Sequence, residues 1–319
     1  MIVAINYHYI RENFSAPHPA IFGITPEAFK EQLQELGRHG TFISQQDLRD
    51  HIDKGHSIPD RSILITFDDG LREQYEYAFP ILNELGIPAV FYINTRVLVE
   101  PIVTNVHLIH LVRSQLPPEV ILNELNRKEM NSNQQVDLQI DARKLGVDHY
   151  KYDTPDVAEL KYLLNFVYSA DYVERVFLDL LSLQIGWNSA KINQKLYMTE
   201  DMIGVLGKQA FIGSHGHDHL PIGQLTESLA KEQVCKAQNL LQKIIGYNPY
   251  SFSYPYGSPE AIGNTGPLLS EQGISFALSM NRDVNYNVDT PLCLNRFDNN
   301  DVPLGKAFDQ SLFSNFIRG

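Results

Sequence analysis

The residues best suited to chemistry in this sequence fall into three short polar clusters, each placed directly after an apolar run. The first, Thr66-Phe67-Asp68-Asp69-Gly70, ends such a run with two adjacent carboxylates. One aspartate capping the next helix and a glycine making the turn would account for a single carboxylate. They do not account for two, because like charges at close quarters raise each other's pKa unless a cation or a hydrogen-bond donor holds them ionised. The second cluster, Gly213-Ser214-His215-Gly216-His217-Asp218-His219, holds three of the eleven histidines. Histidines at i and i+4 meet on one helical turn and those at i and i+2 share one face of a strand, so His215 can pair with His219 or with His217 around a metal ion. Gly216 lets the chain turn into a helix after His215, which favours the pair with His219 and leaves His217 as a solvated loop residue. With Asp69 this predicts a two-histidine, one-carboxylate site with open positions, a donor set that takes zinc, iron, cobalt, nickel or manganese. The third cluster, Phe252-Ser253-Tyr254-Pro255-Tyr256-Gly257, runs an apolar strand into a proline-aromatic-glycine turn.

The elements that must position these clusters alternate between strand and helix patterns. Ile2 to Asn6 reads as a first strand. Thr25-Pro26-Glu27 supplies an N-cap, a proline at the first helical position and an acidic first turn, and the helix that follows stops at Gly37. Ser62 to Phe67 (strand), Arg72 to Leu85 (helix, ended by Gly86) and Pro88 to Ile93 (strand) form a βαβ unit, so parallel pairing is expected. From about Val97 to Lys195 the pattern becomes mostly helical, with polar interruptions such as Asn131-Ser132-Asn133-Gln134-Gln135, and is read as an inserted lid. Within it Thr154 starts one helix, carrying Leu160, Leu163, Leu164 and Val167, and Ser169 another, carrying Val173, Val176, Phe177 and Leu180. Trp187 lies in this insert as a lid contact or a core residue. The alternation then resumes: a short helix from Thr199, a strand Ala210 to Ser214, a helix Glu227 to Ile245, a strand Tyr250 to Tyr254, a helical stretch Ser258 to Gln272 and a strand Ile274 to Leu278. In barrels of parallel strands the active site forms at the carboxyl ends of the strands, where all three clusters fall.

With 319 residues, 43% of them hydrophobic and 20% charged, the chain can build one large globular core. The formal net charge of −12 argues against a partner whose phosphates must be neutralised, so no nucleic acid is expected. Cys235 and Cys293 lie far apart and form no CxxC, which excludes a disulfide framework and a thiolate cluster. Met1 to Ile10 lacks the basic and apolar regions of an export signal, and no apolar run approaches a membrane span. A cytoplasmic enzyme without an integral membrane segment is the expectation.

Thr-Phe-Asp-Asp-Gly, His-x-x-x-His and Tyr-Pro-Tyr-Gly in this order resemble the polysaccharide deacetylase family, the NodB-homology carbohydrate esterases. The likeness covers roughly Thr25 to Phe91 and Tyr197 to Asp298 and leaves the helical insert unmatched. It implies one distorted (β/α) barrel of NodB type spanning residues 1–319, with the insert at about 97–195. It also implies Asp68 as the base, Asp69, His215 and His219 as ligands of one divalent metal ion, zinc first among the candidates, and the main chain at Tyr256 as part of an oxyanion site. The implied reaction is removal of an N-acetyl or other acyl group from an amino sugar in a saccharide or glycan precursor, with Tyr7, Tyr254 and Pro255 placed against the sugar.

Two departures from the family's pattern shape the remaining expectations. The arginine usually found two positions before the proline is Ser253 here, and Arg296, after a late apolar segment, is the candidate to fix Asp68 bidentately. No histidine follows His219, so the usual late general acid is absent. Asn6-Tyr7-His8-Tyr9 resembles the early Tyr-His of a permuted subset of these enzymes, which makes His8 the candidate acid. Two other readings remain open on sequence: a metal-dependent amidohydrolase for a non-sugar amide, built on His215 and His217, and a catalytically silent barrel that binds glycans.

Overall fold

The computed structural model describes residues 1–14, 23–129, 141–150, 153–184 and 188–318; Trp187 and the Asn131 to Gln135 tract lie outside them. Contacts divide the chain into two compact units. The first comprises Met1–Asn13, Phe22–Ile102 and Asn193–Gly319, and most of the second is Val103–Ile192. The segment Val103–Ile192 falls within the helical insert expected at about 97–195, while helix Arg96–Val99 and the chain from Asn193 are grouped with the first unit. Asn193 shows why, since its amide donates to the Val97 and Ile102 carbonyls at 3.0 and 2.7 Å.

The first unit is a curled, all-parallel sheet flanked by helices, a distorted (β/α) barrel. Its strands are β1 (Ile2–Tyr7), β2 (Thr41–Phe42), β3 (Ser62–Phe67), β4 (Ala89–Ile93), β5 (Ile212–Ser214), β6 (Ser251–Ser253), β7 (Phe276–Leu278) and β8 (Phe297–Asp298). They are ordered β7-β6-β5-β4-β3-β1-β8, with β2 pairing β3 beside this path. Between the edges β7 and β8 the contact shrinks to a single bridge from Leu278 to Leu294. Every residue of β1, β3 and β4 is buried, as strands covered on both faces must be. Their side chains alternate between two cores. Val3, Ile5, Tyr7, Ile63, Ile65, Phe67, Phe91 and Ile93 face the surrounding helices, whereas Ile2, Ala4, Leu64, Val90, Tyr92, Phe276 and Leu278 fill the barrel interior.

Most sequence-level expectations for the elements hold. Thr25 caps Pro26–Leu36 through its side chain, and Glu227–Ile245 ends at Gly246 in the left-handed conformation. The expected helix Arg72 to Leu85 is interrupted by a π-turn at Gln74–Ala78 before Phe79–Leu85. Pro80 explains the break: it cannot donate to the Glu76 carbonyl and its ring crowds that carbonyl, so the ladder widens, with the Phe79 amide bonding the Gln74 carbonyl instead. The stretch Ser258 to Gln272 is two short helices, Pro259–Ile262 and Gly266–Glu271, separated at Gly263. Sequence reading did not find β2, β8, the helix Gln45–Lys54 with its Ser44/Asp47 capping box, or the helix Gln310–Arg318.

Among its described residues the second unit is entirely helical. It contains Asn105–Gln115, Pro118–Glu129, Ala142–His149, Pro155–Tyr162 with a π-turn Leu163–Val167, and Ala170–Gln184. The pattern expected after Thr154 and Ser169 is realised as buried Leu160, Leu164, Val173, Val176, Phe177 and Leu180. No described helix of the chain is long and apolar enough to cross a membrane.

Candidate active site and metal centre

The carboxyl ends of β1, β3, β4, β5 and β6 converge, because parallel pairing places Asn6 beside Thr66, Ile93 beside Ser214 and Ser214 beside Phe252. At this end β1, β3 and β6 turn Asn6, Thr66 and Ser253 toward the barrel interior, so the apolar core gives way to a polar mouth. Asp68 and Asp69 follow β3 and are both buried. Asp69 adopts a left-handed backbone (φ 77°), followed by Gly70 at φ 65°. A β-branched residue would not tolerate such a conformation, whereas aspartate and glycine do. Asn94, one residue past β4, holds this turn by donating its side-chain amide to the Asp69 carbonyl at 3.1 Å.

Asp68 is gripped from four sides. The guanidinium of Arg296 donates to both of its oxygens, Nη1 to Oδ1 at 2.9 Å and Nη2 to Oδ2 at 2.7 Å. The Ser253 hydroxyl and the Asn6 amide donate to Oδ2 at 3.1 and 3.0 Å. Arg296 is itself wholly buried, its Nε donating to the Ser279 carbonyl at 3.2 Å and Nη2 to the Ser253 hydroxyl at 2.9 Å. Burial is the largest influence on the Asp68 carboxyl and acts to raise its pKa. The charges of Arg296, His215 and His8, with the Arg296 hydrogen bonds, outweigh it and hold the group at about 2. Asp68 is therefore a fixed anion at any ordinary pH. The absent motif arginine is replaced in space: Arg296 reaches Asp68 from just before β8, and Ser253 sits between them as a shared hydrogen-bond partner.

Asp69, His215 and His219 meet beside this pair, with one ligand atom of each within 4.8 Å of the others. The Nε2 atoms of His215 and His219 lie 3.5 and 3.2 Å from Asp69 Oδ1. His215 donates from Nδ1 to the Ser253 carbonyl at 2.7 Å, the only role open to it since a carbonyl cannot donate, which leaves Nε2 as the atom on the Asp69 side. The two imidazoles are edge-to-face, with centroids 4.9 Å apart. The carboxylates of Asp68 and Asp69 outweigh the opposing effect of burial and raise the His215 pKa. A carboxylate, two imidazoles, that of His215 aimed by the Ser253 carbonyl on its far nitrogen, and burial of all three residues fit a divalent transition ion.

The histidine pair forms by a different route from the expected helical turn. Residues 215–220 are irregular chain, and the pair is brought together by left-handed backbone at Gly216 (φ 76°) and at His219 itself (φ 56°). His217 turns away, its Nδ1 within hydrogen-bond distance of the Thr95 hydroxyl at 2.8 Å, and takes no part in the cluster. A strand-borne His215/His217 centre is not what the chain builds.

The remaining expected residues divide. Tyr256 has a left-handed backbone (φ 65°), is 41% exposed, and sets its ring edge-to-face against His219 at 5.1 Å, so it borders the centre. His8 follows β1 closely enough for its charge to act on Asp68. Pro255 is buried in the turn between Tyr254 and Tyr256. Tyr7 and Tyr254 are not brought to the centre. Each lies one residue after an inward-facing side chain, Asn6 or Ser253, and so points to the opposite face of the sheet. Tyr7 packs on Phe29 and Phe67 and donates to Gln32 Oε1 at 2.8 Å, while Tyr254 donates to the Leu292 carbonyl at 2.9 Å. Their place in the helix-facing cores corrects the expectation that they contact a sugar. Sequence reading missed Asn6, Asn94 and the part played by Ser253; the signal available was strand alternation, which makes Asn6 inward-facing once Asp68 is known to be.

Comparison with known proteins follows this geometry. The family model described as polysaccharide deacetylase matches residues 55–135 and 193–274, about half of the chain. A poly-beta-1,6-N-acetyl-D-glucosamine N-deacetylase of Staphylococcus epidermidis is 29% identical over 121 residues, 34% of this chain and 40% of that protein. Its counterpart in Escherichia coli is 30% identical over 90 residues, 28% of this chain and 13% of that protein. The chain thus matches less than half the length of these curated relatives. Among solved structures, a de-N-acetylase from Aggregatibacter actinomycetemcomitans is similar with a TM-score of 0.56 at 14% identity, covering 99% of both chains. IcaB from Ammonifex degensii is similar with a TM-score of 0.54 at 18% identity, covering 93% of this chain and 90% of that one. At such identities the solved structures establish the fold, a distorted (β/α) barrel of NodB type. The matched segments contain Asp68, Asp69, His215, His219 and Ser253, and the chain belongs to the polysaccharide deacetylase family.

Proposed function

We propose that this protein is a metal-dependent hydrolase that removes the acetyl group from N-acetylated amino sugars in a saccharide or glycan precursor. The observation that carries the reading is the adjacency of the clamped Asp68 anion to the Asp69, His215 and His219 cluster. Relatives named as N-deacetylases of poly-beta-1,6-N-acetyl-D-glucosamine point to N-acetylglucosamine as the sugar.

An amide resists hydrolysis because its carbonyl is a poor electrophile and its nitrogen a poor leaving group. Asp69, His215 and His219 hold a divalent ion, zinc first, which supplies Lewis-acid polarisation and an acidified water when bound. Asp68, fixed by Arg296, Ser253 and Asn6, takes one proton from the attacking water as its oxygen bonds to the acyl carbon. The main chain at Tyr256 donates to the oxygen that gains charge, an interaction worth about 2.7–4 kcal/mol in comparable sites. His8 gives a proton to the sugar nitrogen as the C–N bond breaks, leaving a free amine and acetate. Arg296 serves by orientation: it keeps the Asp68 carboxylate ionised and in one rotamer.

The test is acetate release and free-amine formation from N-acetylglucosamine oligomers by the zinc-loaded protein. Asp68→Asn should keep one equivalent of metal and lose activity by about 10²–10⁴-fold, the range for a positioned acid or base. Full activity in that variant with metal bound would overturn the assignment of Asp68.

A further inference from the structure

The segment carrying His8 has no strand of its own beyond Tyr7, yet three contacts fasten it to the helix that follows Asp68 and Asp69. Gln74 is wholly buried, and its side-chain amide nitrogen donates to the His8 carbonyl at 3.0 Å and to the Asp68 carbonyl at 2.6 Å. Both partners are acceptors, so the amide orientation is forced. Beside it Glu73 accepts from the Ile10 amide at 2.8 Å and pairs with the guanidinium of Arg11. These contacts come from the start of the π-turn at Gln74–Ala78 and the residue before it.

Gln74 joins the main chain at the two residues read above as acid and base. Its Oε1 is buried and accepts no hydrogen bond among the described residues. Leaving a buried acceptor unmade is unfavourable. A side chain selected only for stability would be replaced by one without the orphaned oxygen. We propose that Gln74 is a positioning residue for proton delivery, setting His8 relative to Asp68 so that the proton reaches the leaving nitrogen. The proposal rests on the deacetylase reading with His8 as acid.

The consequence is selective. Cleavage of an amide requires a proton on nitrogen, whereas an aryl acetate expels a stable phenolate and does not. Gln74→Met keeps the volume and removes both donated bonds. In the zinc-loaded full chain, kcat on an N-acetylglucosamine oligomer should fall by about 10- to 100-fold, as expected for a misplaced catalytic group. KM should stay within about twofold, and hydrolysis of 4-nitrophenyl acetate should fall by less than about threefold, because neither depends on proton delivery to the leaving group and the Asp68 carboxylate keeps its bonds to Arg296, Ser253 and Asn6. In a His8→Asn background Gln74→Met should cost less than about twofold more on the oligomer, since both act on one step. Equal losses on the two substrates, a full additional loss in the His8→Asn background, or an unchanged kcat would each overturn the proposal. Should Gln74→Met not fold, Gln74→Leu tests the same point, because it too removes both donated bonds without burying a charge against the two carbonyls. Failure of the underlying reading looks different: His8→Asn would then keep full turnover of the oligomer, or the unmodified protein would cleave the aryl ester and no amino-sugar amide.

Discussion

Replacing Arg296 should reverse the sign with which Asp68 affects stability as pH changes. In the native chain the carboxyl is held at about 2, against 3.8 for the free side chain. The difference is worth on the order of 2–3 kcal/mol at about 1.4 kcal/mol per pKa unit. Since the folded pKa is the lower one, this contribution is fully present above pH 3.8 and is lost as pH falls toward 2. In Arg296→Met the burial of Asp68 remains while the bidentate cation is gone, so burial dominates and lifts the carboxyl above its unfolded value. Asp68 then opposes folding above its unfolded pKa, and that penalty is relieved as pH falls. At neutral pH the variant should lose about 3–5 kcal/mol, the usual result of stranding one member of a buried ion pair. The assay is urea unfolding between pH 2.5 and 7, each protein being compared with its own Asp68→Asn derivative so that other titrating groups, metal ligands included, cancel. The native difference should shrink on acidification, whereas the Arg296→Met difference should start with opposite sign at pH 7 and move toward zero. Parallel pH dependences in the two pairs would show that Arg296 does not hold the Asp68 charge.

The metal centre and the barrel interior yield two further expectations. After zinc loading, elemental analysis should find one equivalent of metal in the unmodified protein and in His217→Ala but not in His219→Ala, because of these two histidines it is His219 whose Nε2 lies at Asp69; loss in both variants would mean that the 215–219 loop, and not its ligand set, had been damaged. Gly213→Ala places a methyl group 2.3–2.4 Å from the Tyr92 ring and 2.7 Å from the Ser251 hydroxyl, and should destabilise the fold by at least about 1–3 kcal/mol in denaturant titration. A thermal midpoint within a degree of the unmodified protein would show that Tyr92 has room to move.

Much of this protein is legible in local sequence. Capping signals mark helix starts at Thr25 and Thr199, glycines end helices at Gly37 and Gly86, and continuous apolar runs identify β3 and β4, because these patterns act within a few residues. Asp68, Asp69 and the histidine cluster were recognisable for a related reason: adjacent carboxylates and crowded imidazoles are poor choices for a core unless an ion or a cation compensates them. Two-residue strands carry too few side chains to show a period, which is why β2 and β8 were invisible.

Sequence proposed Arg296 for Asp68 and His219 for the cluster; what the tertiary structure alone decided is how these distant candidates come to meet. Arg296 reaches Asp68 across 228 positions of sequence because β8 pairs with β1, which pairs with β3, and no local pattern encodes that order. The choice of His219 over His217 depended on left-handed backbone at Gly216 and at His219, a conformation that a histidine adopts only when surrounding contacts impose it. The same strand order sent Tyr7 and Tyr254 into the helix-facing cores, since alternation fixes faces only relative to a partner whose face is known. Residue types therefore announced the chemistry, and the parallel register of β1, β3, β4, β5 and β6 selected the residues that share it, because a side chain's face and neighbours are settled by pairing between strands far apart in the chain.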